Sequence, residues 1–238
     1  MDPIQIRYRF RFADRPEEVV DLALDRETLA LVGADAGDAP EWTALGFEQC
    51  RNCPLSVQEH PRCPAAVALV GIVGLFRDVV SHDELLLEVE TEERTVQEQT
   101  SAQRALSSLM GLVMAVSGCP HTAWFRPMAR FHLPLASHEE TVFRAVGMYL
   151  LAQYYRRRDG HVADLELAGL KAIYEELGVV NEGIAERLRA AIRKDSAVNA
   201  VVLLDVHARM LPFAIEKYLE ELRPLFDDPY LRPGPSSD

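Results

Sequence analysis

Four cysteines, at positions 50, 53, 63 and 119, are the chain's whole supply of thiols, and three of them are followed directly by proline. If they meet, a loop near residue 50 must return to Cys119, which 55 intervening residues separate from Cys63, and few folds permit that. The Cys50-x2-Cys53 spacing lets a tight turn present two sulfurs to one centre. Cys63 from the same irregular stretch and Cys119 from a distant one would complete a tetrahedron. Thiolates suit zinc or an iron–sulfur cluster, because both favour soft sulfur ligands. Proline after Cys53, Cys63 and Cys119 removes the adjacent amide, so hydrogen bonds to sulfur must come from further along, as from Leu55, Ala65 or His121. With Pro64 opening a helix, Cys63 would sit at its N-terminus, where partial positive charge favours a thiolate. Arg51, Arg62, Arg126 and Arg130 are near in sequence and could balance the charge, and His60 or His121 could replace Cys119 as a ligand. Buried thiols acting as small apolar filler, or a redox-active Cys50–Cys53 dithiol, are the competing readings.

Around the cysteines the chain reads as α+β. Ile4, Ile6, Tyr8, Phe10 and Phe12 alternate with Gln5, Arg7, Arg9 and Arg11, a period of two that predicts a strand. Further strands are expected near 19–24, 28–32 and 85–91, with a buried helix over 64–80. Beyond residue 100 the pattern is helical. One helix runs over 101–116 and stops at Gly118, and its Ser107, Gly111 and Ala115 permit a close neighbour. A second opens on the Ser137/Glu140 capping box and runs to Tyr155 with a core stripe of Phe143, Val146, Tyr149, Leu150 and Tyr154. A third is capped by Asp164 and halts at Gly178; others cover 181–193 and 197–222, the last kinked at Pro212. The expected organisation is a sheet-containing domain with the cysteine-rich loop over 1–136, a helical bundle over 137–226 and a frayed tail over 227–238.

Composition narrows the function. There are 37 acidic and 25 basic residues, a formal net charge of −12, and no segregated basic patch, which argues against nucleic acid. The longest apolar stretch, 64–76, is too short to cross a bilayer, and the first dozen residues lack a secretory pattern. A cytoplasmic location with reduced thiols is expected. No phosphate-binding glycine loop, serine elbow or HExxH is present. The stretch 119–140 gathers Arg126, Arg130 and His132, candidates for an anion clamp and a proton-transfer group should they converge.

Taken together, Cys50-Arg-Asn-Cys53-Pro-Leu, Cys63-Pro, Ser117-Gly-Cys119-Pro and Pro127-Met-Ala-Arg-Phe-His132-Leu-Pro resemble an uncharacterised bacterial family known as a domain of unknown function. The resemblance brings no activity with it. The reading at this point is a cytoplasmic metal-binding protein whose Cys50, Cys53, Cys63 and Cys119 join two halves. Zinc is narrowly favoured over a [4Fe–4S] cluster, and the helical half would meet a protein partner or a second copy. An enzyme sited in 119–140, or a thiol or iron–sulfur redox protein, is the alternative.

Overall fold

The computed structural model describes residues 2–33, 39–76, 78–191 and 196–226. Its sheet has four antiparallel strands in the order β2-β1-β3-β4: β1 Ile4–Phe12, β2 Glu18–Leu24, β3 Glu84–Glu90 and β4 Thr95–Ser101. The alternation of β1 is realised, with Ile4, Ile6, Tyr8 and Phe10 buried on one face. On the other face, Arg7 pairs with Asp21, and Arg9 and Arg11 with Glu17 and Glu88.

The expected strand over 28–32 does not form. The Asp25 carboxylate accepts the amides of Glu27 and Thr28 and the Thr28 hydroxyl, and the chain then turns through Leu29 at φ 57°. Only a single bridge, Leu24 to Leu31, survives that turn. An unforeseen strand, β4, pairs with β3 instead. Its TVQEQTS sequence carries no apolar alternation because, as an edge strand, it buries only Thr100.

Two helices, α1 (Pro64–Leu75) and α2 (Ala102–Val116), connect the sheet to a helical layer of α3 (Arg126–Arg130), α4 (His138–Arg158), α5 (Ala168–Ala191) and α6 (Ser196–Leu222). α1 ends five residues earlier than expected, and Val79 returns to the core from the following turn. α2 is buried on nearly every side. At Gly111 an added Cβ would lie 3.3 Å from Leu204 of α6, so the small-residue spacing does serve a close crossing. The Ser137/Glu140 capping box is formed as expected.

Two helical expectations change. α5 runs straight through Gly178, which is buried and keeps an ordinary helical φ, so the two helices expected on either side are one. Asp164 accepts the Gly169 amide at 2.8 Å, capping this helix from just outside it. On α4 the expected core stripe is divided: Val146 is buried, whereas Phe143, Leu150 and Tyr154 face outward. Pro212 lies inside the span of α6. The tail over 227–238 and residues 34–38 lie outside the described residues. One cluster of buried residues runs from Ile4 to Ile215, across the expected boundary at 137. None of the described helices is long and apolar enough to cross a membrane.

Candidate metal centre

Cys50, Cys53, Cys63 and Cys119 line one small cavity, closed by Leu45, Leu55, Val180, Ile184 and the prolines that follow three of the cysteines. Each corner has its own local cause. Cys53 donates its amide to the Cys50 carbonyl at 2.9 Å, the tight turn expected of a CxxC. Cys63 is the N-cap of α1; its amide donates to Thr43 at 2.8 Å, and Leu45 donates to Pro61 at 3.0 Å, which clasps the second arm of the loop against the first. Gly118, at φ 92°, ends α2 against the start of α1, where an added Cβ would lie 3.8 Å from Pro64, and delivers Cys119 to the cavity that Cys63 lines. The Thr122 hydroxyl then fixes that corner by donating to the Met114 carbonyl at 2.5 Å. The fourth wall is α5, where Gly183 packs so tightly that an added Cβ would lie 2.6 Å from the Cys50 sulfur.

The thiols are unpaired, and among the described residues no three His, Cys, Asp or Glu side chains form a group arranged to hold a single metal ion. Burial pushes the Cys50 thiol up to about 12, and the neighbouring sulfurs of Cys63, Cys119 and Cys53 add to the rise. Burial also raises Cys63, outweighing the amides of Ala66 and Ala65 that pull it down. The helix N-terminus therefore does not make Cys63 a ready thiolate. The dithiol reading, which needs an acidic, exposed cysteine, finds the opposite at Cys50.

A buried cation that the sequence reading missed stands beside these sulfurs. Arg187 of α5 is 1% exposed and donates to the carbonyls of Trp42, Ala44, Leu45 and Glu48, all in the segment leading to Cys50. Its Nε has no hydrogen-bond partner, and no carboxylate pairs with it among the described residues. Burial lowers its pKa, and the only opposing influences of note are Cys63, Cys50 and Cys53, ahead of a weaker one from Glu48. Val180, Gly183, Ile184 and Arg187 form an i, i+3, i+4, i+7 stripe, of which only Val180 falls outside the helix expected over 181–193.

Three of the four arginines expected to balance the cysteines are engaged elsewhere, and the fourth, Arg126, does not line the cavity and leaves its Nε unpartnered among the described residues. Arg51 pairs with Glu182 near the surface, Arg62 donates to Pro40 and Thr43, and Arg130 pairs with Glu93 at the β3–β4 turn. His60 is exposed and away from the cavity, whereas His121 lines it, its Nε2 2.8 Å from the Asn52 carbonyl oxygen. Nor do Arg126, Arg130 and His132 converge: of the three, only His132 lines a cavity, a larger one between the helices. There it hydrogen-bonds the Tyr8 hydroxyl, and burial brings its pKa down to about 3, so it stays neutral at physiological pH.

Residues 6–227 match the model of a family described as Domain of unknown function (DUF6901), and the chain belongs to that family. Neither the curated proteins nor the solved structures gave a match.

Proposed function

We propose that this DUF6901 member is an iron–sulfur protein in which Cys50, Cys53, Cys63 and Cys119 hold a [4Fe–4S] cluster, cross-linking the 50–63 loop to the end of α2 beneath α5. Arg187 is the observation that carries the reading. A guanidinium removed from water without a counter-ion is costly, and breaking a buried ion pair costs about 3–5 kcal/mol. Four neutral thiols offer Arg187 no charge, whereas four cluster-bound thiolates give the net anion that it lacks.

Zinc would answer the same charge, but it requires the four sulfurs to close on one ion, and no such grouping occurs among the described residues. In a four-iron cluster each iron takes one cysteine and completes its shell with inorganic sulfide. The sulfurs then surround a common space, and these four line one cavity, which must widen from about 20 Å³ to admit the cluster. The apolar walls suit a cluster shielded from water, and a reducing compartment such as the cytoplasm suits thiolate ligands. The role argued here is structural, because the loop over 44–63 has one isolated bridge and little regular structure to hold it.

The test is anaerobic purification of the whole chain without added metal, followed by iron, acid-labile sulfide and zinc analysis and a visible spectrum. About four irons and four sulfides per chain in a brown protein, lost on Cys119→Ser, are expected. A colourless protein with one zinc would replace the cluster by the zinc reading. A protein with neither metal would remove both.

A further inference from the structure

We propose that the cavity enclosed by α2, α3, α4, α5 and α6 is a binding site for a small amphipathic carboxylic acid, its carboxylate held by Arg144, Tyr174 and Asn181 and its apolar body between α2 and α6. The cavity measures about 230 Å³ and is lined by Leu112, Phe125, Leu133 and Leu204 among others. An apolar cavity of roughly 150 Å³ already takes up benzene, so this one has room for a larger body.

The polar part of the lining gives the ligand its chemistry. Arg144 donates through Nη2 to the carbonyls of Met128 and Phe131, and its remaining donors have no partner among the described residues. No carboxylate pairs with it there: Glu140, one turn before it on α4, accepts the Ser137 amide in the capping box. Tyr174 is a buried residue whose hydroxyl makes no hydrogen bond among the described residues and opens onto the cavity that it lines, although tyrosines in such places ordinarily find a partner. Asn181 is 1% exposed, and its side-chain NH2 is unpartnered. Three groups with unused donors thus face one apolar space. None of the residues known to line it is acidic, and its other cation, Arg104, is paired with Glu98. Of the three, the Asn181 amide is fully buried, and a buried donor left unmade costs about 1–3 kcal/mol. A carboxylate would satisfy several at once and neutralise Arg144, whereas an amine or a hydrocarbon would satisfy none.

The inference does not depend on the cysteine centre, although the two sites abut. His121 and Val180 line the cysteine cavity, while the next residues, Thr122 and Asn181, line the larger one.

Calorimetric titration of the purified full chain with octanoate and with octylamine tests the proposal. Saturable binding of one octanoate per chain is expected, with no saturable binding of octylamine. Tyr174→Phe, which removes one oxygen and keeps the packing, should weaken octanoate about tenfold, the cost of one hydrogen bond to a charged group. Arg144→Gln should weaken it more. Because Arg144 also anchors two carbonyls, its circular dichroism is checked, and Tyr174→Phe decides the matter if that variant fails to fold. Absence of octanoate binding, equal binding of octylamine, or a Tyr174→Phe affinity equal to the parent's would overturn the proposal. Iron content read in the same samples separates this outcome from the fate of the cluster reading.

Discussion

Gly183→Ala is the sharpest perturbation of the cysteine centre, because two effects of known size oppose each other at that residue. In a helix interior, alanine is better than glycine by about 1 kcal/mol. Against that gain, the new methyl would stand 2.6 Å from the Cys50 sulfur, 3.3 Å from its Cα and 3.4 Å from its Cβ. Heavy atoms pack best at roughly 3.5–4.0 Å, so Cys50 must retreat by about 1 Å, and its backbone must give as well as its side chain. Overpacking of this kind costs about 1–3 kcal/mol. The net effect on the metal-free protein is then a loss of up to about 2 kcal/mol, or a fall in Tm of up to about 8 °C for a chain of this size. The effect on the centre is larger. Ligand distances tolerate only about 0.2 Å, so a displacement of about 1 Å removes Cys50 as a ligand. Gly147→Ala on α4, where nothing lies within 4 Å of the added methyl, is the control and should raise stability by up to about 1 kcal/mol. The assay is iron per chain and thermal unfolding for both variants, prepared in parallel. A Gly183→Ala protein that keeps its full iron and melts higher, as the control does, would refute the placement of Cys50 against α5.

Two further predictions come from buried ionisable groups. Arg187→Met should destabilise the cluster-loaded protein by about 3–5 kcal/mol and the cluster-free protein by at least about 1 kcal/mol less, because only the loaded state presents an anion to lose; equal losses in anaerobic denaturant titrations would make Arg187 a purely structural clasp of the loop. His132 carries a folded-state pKa lowered to about 3, so the unfolded chain, titrating near the ordinary value of about 6.5, binds the proton first as pH falls. Its contribution is therefore intact above about pH 6.5 and is lost progressively below it. The loss is about 1–2 kcal/mol by pH 5, allowing for the side of the ring that faces the cavity. His132→Gln should flatten that part of the stability-against-pH curve, and a variant with an unchanged slope would show that other groups produce it.

What could be read from the sequence follows from how local each signal is. β1, α2 and the capping box of α4 were legible because alternation, small-residue spacing and the Ser137–Glu140 pair lie within a few residues of one another. β4 was not, since an edge strand that turns its side chains to water has no apolar period to detect. α5 was divided at Gly178 because a glycine reads as a stop unless one knows that its helix is covered on that side. Arg187 was overlooked for a different reason: it shares a face with Gly183 and Ile184 within the expected 181–193 helix, but nothing local marks that face as the one lying against the cysteines. The gathering of the four cysteines was legible as an expectation from their spacing and prolines. The buried cation beside them was not, because Arg187 lies 134 residues beyond Cys53.

The two sites meet at α5, and that helix explains why both have been built into one core. Its 180–187 stripe presents Val180, Gly183 and Ile184 to the cysteine corner and carries the Arg187 guanidinium onto the carbonyls that lead to Cys50, while Tyr174 and Asn181 present unused donors to the opposite cavity. Neither arrangement is what burial alone would select, since leucine at 187 or 181 would pack without an unpaired charge or an idle amide. Two such departures on one helix, on faces that look into different cavities, fit the two proposed partners, an anion at the cysteines and an acceptor between the helices. Because α5 is a single continuous rod, a shift of Val180 and Gly183 upon cluster loss would carry Asn181 with it. Octanoate affinity measured with and without the cluster therefore reports whether the rod couples the two sites. A ratio of affinities that departs from one would, by reciprocity, mean that the acid stabilises or weakens the cluster by the same factor.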